Sequence, residues 1–348
     1  MGGHDIIVIG ASAGGIEALQ RIVGGLPAKL DAAVFVVVHM MAEATSNLPE
    51  ILSRAGPLRA HHAINREPVS YGRIYVAPPD LHLVLKSGVV RVVHGPRENR
   101  SRPAVDPLFR SAAIAYGPRV IGVVLSGALD DGTAGLLAIK AQGGLAVVQD
   151  PEDALVSGMP RSALEYVTVD HSAKAAEIGP LLTRLSSESA VDLAPLPSRR
   201  LTMEAEMSSL EPAAMEDDEK YGAQPSPFTC PECHGALWEL VDGDLVRYRC
   251  RVGHSYSVDS MIVEQGQAAE RALWAALRSL EEKAALARRL EENSLRRNQD
   301  EVALRFAERA TETEEHAEIL RRLLLTDKQE DEENPSLEPE DSTASPES

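Results

Sequence analysis

Short runs of β-branched apolar residues, separated by segments with helical spacing, recur through the N-terminal half of the chain. Residues 5–9 (DIIVI) and 33–38 (AVFVVV) are two such runs, and turn signals bound both of them. Uninterrupted apolar runs of this length are typical of parallel strands that are buried on both faces. Between them, residues 16–23 carry apolar side chains at helical spacing and end at Gly24-Gly25. The pattern therefore predicts a strand–helix–strand unit with parallel strands.

The same alternation of strands and helices continues to about residue 190. Further buried strands are predicted at 73–77, 120–125 and 145–149, and helices at 107–116 and 132–142. Residues 80–94 alternate apolar and polar side chains around Ser87-Gly88, which predicts a β-hairpin at a sheet edge. Strands that alternate with helices predict an α/β fold over residues 1–190, a doubly wound and mostly parallel sheet with flanking helices.

Composition divides the rest of the chain into four segments. Residues 191–228 hold Pro, Ser, Glu and Met without sustained periodicity, which predicts an acidic disordered linker. Residues 229–260 contain all three cysteines and predict a small zinc-ribbon-like module. Residues 261–326 carry two apolar stripes at helical spacing, which predict a C-terminal helical region, a helical hairpin or coiled coil. The polar segment 291–299 between the stripes is either the turn of a hairpin, which we prefer, or part of one long helix. Residues 327–348 predict an acidic disordered tail.

The net charge of −18 is concentrated in two segments. Residues 201–220 contribute −6 and residues 327–348 contribute −8, so the rest of the chain is close to neutral. Nucleic-acid binding needs clustered basic residues, which argues against a nucleic-acid partner. No window of 18 apolar residues and no signal-peptide pattern occurs, which argues against membrane insertion. Three clustered cysteines, an odd number, argue against a disulfide framework and favour a reducing compartment, so we expect a cytoplasmic protein.

A glycine-rich turn, Gly10 to Gly15, lies where the first strand should meet the first helix. Its first five residues match G-x-S-x-G, in which the glycines permit a tight turn that exposes the hydroxyl of Ser12 at the carboxyl end of the strand. The N-terminus of the following helix can stabilise developing negative charge. The same loop could instead cradle a phosphate in a nucleotide-binding fold, and the local pattern leaves both interpretations open.

The ends of two later strands favour the nucleophile. A dinucleotide-binding fold places an acid at the end of the second strand, whereas here that strand runs directly into His39. The strand at 120–125 leads into a loop that contains Asp130 and Asp131. Taken singly, a structural histidine or a helix-capping aspartate is an alternative. Because parallel strand ends share one sheet edge, a serine, a general base and an acid at three strand ends together predict a serine hydrolase.

Several longer motifs extend this pattern across the domain. They are residues 9–15 (IGASAGG), 72–83 (GRIYVAPPDLHL), 105–111 (VDPLFRS), 122–127 (GVVLSG), Asp131-Gly132, Gln149-Asp150 and 158–162 (GMPRS). In this order, residues 5–185 resemble the catalytic domain of the chemotaxis receptor methylesterases, the CheB family. The resemblance implies a triad of Ser12, His39 and Asp131, the last because the family's acid directly precedes the Gly that opens the next helix.

The resemblance also implies backbone oxyanion donors and a reaction. The donors would be the N–H groups of Ala13 and Ala128, where the family usually has Thr and Met, while Leu129 replaces a usual Gly. The implied activity is that of a protein-glutamate methylesterase, which hydrolyses glutamate γ-methyl esters on a methylated chemoreceptor or another methylated protein through an acyl-enzyme. It needs no catalytic cofactor, and glutamine deamidation is a further implied activity. The alternatives are a non-catalytic signalling adaptor with the same fold and a nucleotide-binding protein.

The best-known members of that family carry a phospho-acceptor receiver domain before the catalytic domain. In this sequence the first catalytic strand begins at residue 5, so we expect no receiver ahead of it and no control by phosphorylation in cis. The helical region at 261–326 is expected instead to offer a surface to a signalling partner.

The cysteine cluster has the spacing of a metal site. Cys230, Cys233, Cys250 and His254 form the pattern C-x2-C-x16-C-x3-H. Four such ligands suit a closed, tetrahedral and structural Zn²⁺ site. His234 could replace His254, although it adjoins Cys233, and a metal-free cluster of buried thiols is the other alternative. Because so short a segment has little core, the metal would supply most of its folding energy.

Overall fold

The computed structural model describes residues 3–191, 195–209 and 224–333, with side chains described as far as residue 325. The strands are β1 (Ile6–Ala11), β2 (Ala33–Val38), β3 (Arg59–His62), β4 (Arg73–Val76), β5 (His82–Lys86), β6 (Val89–Val93), β7 (Val120–Val124), β8 (Leu145–Gln149), β9 (His171–Ala173), β10 (Gln224–Thr229), β11 (Ala236–Asp242), β12 (Leu245–Cys250) and β13 (Ser255–Ser257). The helices are α1 (Gly15–Gly24), α2 (Leu48–Ala55), α3 (Val105–Tyr116), α4 (Thr133–Ala141), α5 (Gly158–Tyr166), α6 (Ala175–Ser187), α7 (Arg199–Ser208), α8 (Val258–Arg296) and α9 (Asp300–Glu333). The chain divides into two compact units, with the boundary between Met261 and Ile262.

A seven-stranded parallel sheet forms the centre of the first unit, in the order β3-β4-β2-β1-β7-β8-β9. One face packs against α1, α2 and α6, and the other against α3, α4 and α5. Alternate residues of β1 therefore enter different cores: Ile7 and Ile9 lie in the first, Ile6 and Val8 in the second. The predicted doubly wound α/β fold is confirmed, and each of the five predicted strands is present within two residues of its predicted ends.

The order of strands places a crevice beside β1. Strand β2 pairs with one side of β1, and β7, which comes later in the chain, pairs with the other side. At such a switch point the connections leave the sheet in opposite directions, so the carboxyl ends of β1, β2 and β7 open into the crevice between them.

Some elements of this unit differ from the predictions. The hairpin of β5 and β6 forms a separate two-stranded antiparallel sheet, not an edge of the large sheet. The reason is that its apolar side chains Leu83, Leu85 and Val90 are buried in the core that includes α3. The edge strands β3 and β9 have sequences RAHH and HSA, without the apolar runs from which buried strands were predicted.

Helix α7 lies inside the segment that was predicted to be a disordered linker, so that prediction is wrong for Arg199–Ser208. The side chain of Ser198 caps the helix by accepting a hydrogen bond from the backbone N–H of Leu201 at 3.1 Å. One face of the helix is buried, and it carries Met203, Met207 and Glu204. The contacts that bury this face are with distant parts of the chain, so the local sequence pattern does not predict them. The predicted linker residues 192–194 and 210–223 lie outside the described residues.

Strands β10 to β13 form a four-stranded antiparallel sheet that carries the cysteines. It starts at Gln224, five residues before the predicted boundary of the ribbon.

In the second unit, α8 and α9 lie antiparallel, with Leu277, Ala317 and Leu324 buried between them. Ion pairs from Arg288 to Glu314 at 2.7 Å and from Arg321 to Glu281 at 2.6 Å fix their register. The predicted tail begins inside α9, which continues to Glu333, and residues 334–348 lie outside the described residues. Across the described part of the chain, no helix combines the length and apolar character needed to cross a membrane.

Candidate active site

Ser12 and His39 follow directly on neighbouring parallel strands. The last paired residues of β1 and β2 are Ala11 and Val38, and the backbone N–H of His39 donates to the carbonyl of Ala11 at 3.1 Å. Adjacent strands lie about 4.8 Å apart, so the backbones of Ser12 and His39 are neighbours at the sheet edge. Both side chains are half-buried.

Asp131 lies against His39 at the same edge. The Nε2 atom of His39 is 2.6 Å from Oδ2 of Asp131, whose residue is 1% exposed. Oδ2 also accepts the backbone N–H of Val105 at 2.7 Å, and Oδ1 accepts the backbone N–H of Asp106 at 3.1 Å and the amide of Asn99 at 3.0 Å. An ionised carboxylate accepts but does not donate, so Nε2 of His39 carries the proton of this bond. Nδ1 is then the ring nitrogen that can take up a proton.

The surroundings of Asp131 favour its charged form. Burial raises the pKa of this carboxyl, but the hydrogen bond and charge of His39 and the donors from Val105 and Asn99 together outweigh burial. The net pKa lies below its ordinary value. A carboxylate that stays charged beside an imidazole can hold the ring orientation and stabilise an imidazolium.

Asp106 is a buried neighbour that sequence reasoning did not single out, although it lies in the 105–111 motif. Its carboxylate accepts the backbone N–H groups of Gly132 at 3.1 Å and Gly135 at 2.6 Å, and the amide of Asn99 at 3.1 Å. Burial first and the charge of Asp131 second raise the pKa of Asp106 to about 7. The proton is therefore held by Asp106 more readily than by Asp131.

Asp130 has a different hydrogen-bond partner. Its Oδ1 accepts the hydroxyl of Ser257 at 2.7 Å, and the residue is 8% exposed. Burial is the main reason that the pKa of Asp130 rises to about 7, with the charges of Asp259 and Asp131 adding to it. The two adjacent aspartates thus have different partners, and it is Asp131 that lies against His39.

This difference has a testable consequence for stability. A carboxyl whose pKa rises from 3.8 to about 7 on folding contributes stability that is complete below the unfolded value and is lost as pH rises through about 7. Asp130→Asn keeps an acceptor for Ser257 without this titration. Between about pH 4 and pH 7 we expect the free energy of unfolding of the native chain to fall by about 2–4 kcal/mol relative to the variant. Urea unfolding across this range measures the difference, and parallel curves would contradict it.

The turn that carries Ser12 is tied to the loop after β7. The hydroxyl of Ser126 donates to the carbonyl of Ala13 at 2.7 Å and accepts the backbone N–H of Val156 at 2.9 Å, while the N–H of Ser12 donates to the carbonyl of Ser126 at 2.9 Å. Gly14 has φ of 72°, and a Cβ there would lie 2.7 Å from Oγ of Ser126. Only glycine fits this turn, so the motif reflects a steric requirement. Sequence reasoning did not identify Ser126 as the link.

Ala13 and Ala128, the predicted oxyanion donors, flank Ser12 on two loops. Ala13 is the next residue in the turn before α1, and Ala128 follows Gly127, where an added Cβ would lie 2.8 Å from Cβ of Ser12. The loop after β7 therefore passes close to the candidate nucleophile. Next in this loop, Leu129 has φ of 60°, a left-handed conformation that costs an L-residue about 1–2 kcal/mol. Leu129 therefore adopts a backbone conformation that normally favours glycine.

The four predicted metal ligands converge at one point of the ribbon. Ligand atoms of Cys230, Cys233, Cys250 and His254 all lie within 4.8 Å of one another. Nδ1 of His254 is 3.6 Å from Sγ of Cys230 and 3.5 Å from Sγ of Cys250, and the Sγ atoms of Cys233 and Cys250 are 3.6 Å apart. Tetrahedral zinc with ordinary bond lengths needs ligand separations of about 3.5–3.8 Å. The cluster could therefore hold a metal ion.

The carboxylate of Glu232 lies beside the imidazole of the cluster, as is usual at metal sites. Nε2 of His254 lies 3.2 Å from a carboxylate oxygen of Glu232, an arrangement that orients a metal-binding imidazole through its other nitrogen. His234, the alternative ligand, is exposed and does not belong to the cluster.

Comparisons with known proteins point to one family. The family model described as CheB methylesterase matches residues 7–182. A putative protein-glutamate methylesterase/protein-glutamine glutaminase of Leptospira interrogans is 40% identical over 183 residues, which are 52% of this chain and 95% of that protein. Protein-glutamate methylesterase/protein-glutamine glutaminase 2 of Anaeromyxobacter dehalogenans is 40% identical over 182 residues, 52% of this chain and 53% of that one.

A solved structure is similar as well. The crystal structure of the Thermotoga maritima CheB methylesterase catalytic domain superposes with a TM-score of 0.51 at 36% identity, covering 53% of this chain and 99% of that domain. At this identity, and with a family model that matches about half of the sequence, the relationship extends beyond fold. The chain belongs to the CheB methylesterase family.

Proposed function

We propose that this protein is a protein-glutamate methylesterase in which Ser12 is the nucleophile, His39 the general base and Asp131 the orienting acid. The observation that carries the proposal is the 2.6 Å contact between His39 Nε2 and a buried Asp131 carboxylate, at the strand end beside Ser12. Family membership supports the reaction type, and the names of the Leptospira and Anaeromyxobacter relatives support the substrate class.

In the proposed reaction each of these residues has one role. The hydroxyl of Ser12 attacks the carbonyl carbon of a glutamate γ-methyl ester, and its proton passes to Nδ1 of His39. Backbone N–H groups of Ala13 and Ala128 hold the oxyanion of the tetrahedral intermediate. The intermediate collapses to an acyl-enzyme, and the proton on His39 leaves with methanol. Water then attacks the acyl-enzyme by the same route and restores Ser12, with a free glutamate side chain as the product.

The same machinery can act on an amide. Attack on the γ-carboxamide of glutamine gives the same acyl-enzyme and releases ammonia, so glutamine deamidation belongs to the proposal. The substrate that we propose is a methylated chemoreceptor or another methylated protein. No feature of the described residues favours a non-catalytic adaptor, in which a charged, buried Asp131 held by four hydrogen bonds would have no use.

We further propose that the cysteine cluster binds Zn²⁺ as a structural ion. Three thiolates and one imidazole complete a tetrahedral set, so the ion would have no open position for substrate or water. Its chemistry would be limited to cross-linking the two turns of the ribbon. The free thiols of Cys230, Cys233 and Cys250 support a reducing compartment, and we place the protein in the cytoplasm. The hairpin of α8 and α9 is proposed to bind a signalling partner.

The activity is tested with a receptor fragment that carries methyl-labelled glutamate esters. We expect the native chain to release one methanol for each carboxylate formed. A fluorophosphonate, which reacts covalently with activated serine hydroxyls, should add one label per chain, at Ser12. A native chain that releases no methanol above the rate of the fragment alone, or that is labelled at a different serine, would contradict the proposal.

A further inference from the structure

Asn99 lies between the candidate acid and the ribbon. Its amide Nδ2 donates to Oδ1 of Asp131 at 3.0 Å and to Oδ2 of Asp106 at 3.1 Å. Its Oδ1 accepts the backbone N–H of Ser257 at 3.1 Å and the hydroxyl of Ser260 at 3.3 Å. The residue is 7% exposed, so these four bonds form away from solvent. One side chain thus joins the end of the ribbon and the first turn of α8 to both carboxylates.

The ribbon side determines which way this amide faces. A backbone N–H can only donate, so the Asn99 atom opposite Ser257 must be the carbonyl oxygen. The amino group is then directed at Asp131, where a donor stabilises the charged carboxylate. If the contact with Ser257 were lost, the side chain of Asn99 would no longer be held in place from the ribbon side, and its donation to Asp131 would weaken.

The backbone around Asn99 is also held by the ribbon. The N–H of Asn99 donates to the carbonyl of Ser255 at 2.8 Å, and the N–H of Ser255 donates to the carbonyl of Arg97 at 3.4 Å. Asn99 itself has φ of 47°, a conformation that needs such support. Ser255 directly follows His254, whose carbonyl accepts the N–H of Cys250 at 3.0 Å. The segment that contacts Asn99 therefore begins at a predicted metal ligand.

Buried ion pairs also hold the ribbon against the segment that carries Asn99. Glu98, which is 0% exposed, accepts hydrogen bonds from Arg249 of β12 at 2.8 Å and from Arg110 of α3 at 2.6 Å. Glu204 of α7 pairs with Arg247 of β12 at 2.9 Å. Removing one partner of such buried pairs leaves an uncompensated charge, so the ribbon cannot leave this surface without a large cost.

We propose that Asn99 is a positioning residue through which the metal-bound ribbon holds the carboxylate of Asp131 in its working orientation toward His39. The ribbon is then a required part of the active centre and not an appendage for partner binding alone. This inference rests on the proposed function, because it assigns the ribbon a role in that reaction.

The first test separates the two sides of Asn99. In Asn99→Asp the side chain still accepts from Ser257, but in its ionised form, at a pH above the pKa values of the surrounding carboxyls, it cannot donate to Asp131. We expect kcat for methanol release to fall about 10- to 100-fold with KM unchanged, because a hydrogen bond to a charged group is lost. Bound zinc should stay at the native level. The matched control is Asn65→Asp, at an exposed asparagine whose Oδ1 accepts from Arg91, and it should keep the native kcat.

The second test measures the coupling to the metal. Removing zinc from the native chain with a chelator should lower kcat and speed amide hydrogen exchange in residues 97–106. In Asn99→Asp, the same treatment should lower kcat much less, because the side-chain donor through which the ribbon acts on Asp131 is already absent. Equal losses of kcat in both proteins, or native kcat in Asn99→Asp, would overturn the inference.

The hydrogen-exchange measurement distinguishes this failure from failure of the proposed function. If the native chain releases no methanol, the esterase assignment fails, and zinc-dependent exchange in residues 97–106 still reports whether the ribbon holds this segment. Exchange that does not respond to the metal would overturn the link itself. If the native chain is active, Ser12→Ala is inactive and Asn99→Asp is fully active, the positioning role alone is wrong.

Discussion

Replacing Ser12 by Ala is expected to lower the rate of methanol release by about 10⁴- to 10⁶-fold. The substitution removes the only atom that the proposed mechanism uses to form the acyl-enzyme, while His39 and Asp131 keep their contact. The remaining rate would come from backbone donors and substrate binding without a nucleophile. Methyl-labelled receptor fragment and single-turnover kinetics measure the effect on chemistry separately from binding.

A second serine provides the control for this substitution. Ser87 lies in the exposed turn between β5 and β6, so Ser87→Ala makes the same chemical change away from the strand ends. It should keep the native rate of methanol release. Because Ser12→Ala removes one half-buried hydroxyl, both variants should also unfold close to the native urea midpoint. A Ser12→Ala chain that releases methanol at the native rate would exclude Ser12 as the nucleophile.

Removing the metal is expected to unfold the ribbon. Structural zinc sites of this type contribute about 10–16 kcal/mol of apparent binding energy at neutral pH, and the ribbon has a small core of its own, formed by Cys230, Leu237, Cys250, Tyr256 and Met261. Two of these five are predicted ligands. We expect about one zinc per native chain by metal analysis, and loss of protease resistance between residues 224 and 257 after chelation.

Two histidines make this prediction specific. His254→Ala removes a ligand of the cluster and should reduce bound zinc to well below half an equivalent, whereas His234→Ala should leave it at one. The latter side chain is exposed, so its loss should also leave stability unchanged. Less than half an equivalent in the native chain, or the reverse pattern in the two variants, would contradict the assignment of the cluster.

Much of the first unit could be predicted because its signals are local. The runs that became β1, β2, β4, β7 and β8 are buried on both faces, and this leaves an unmistakable apolar run in the sequence. Once the sheet is parallel, the residues after those strands must share one edge. The sequence therefore predicts that Ser12, His39 and the pair Asp130 and Asp131 lie at one edge of the sheet. Their catalytic roles stay predictions until the variants are measured.

Other features could not be read from local patterns. Helix α7 was predicted as linker because its order depends on Glu204 pairing with Arg247, 43 residues away. The edge strands β3 and β9 are paired on one side only and so lack the apolar signal. The motif selects Asp131 over Asp130 as the acid, and the partners of the two carboxylates agree with that choice. Only the folded chain shows the reason for the difference. One carboxylate meets His39 and the other meets Ser257.

The sequence by itself determined the doubly wound sheet, the sheet edge at which Ser12 and His39 lie and the spacing of Cys230, Cys233, Cys250 and His254, since periodicity and spacing are properties of neighbouring residues. The tertiary structure decided what surrounds them. The hydrogen bond between Asn99 and Ser257 joins residues 158 positions apart. The sequence around one of them gives no sign that the other is its partner. Such contacts arise because burial forces each polar group to find a partner from whatever part of the chain packs against it. In this protein the part that packs against the acid loop is the ribbon.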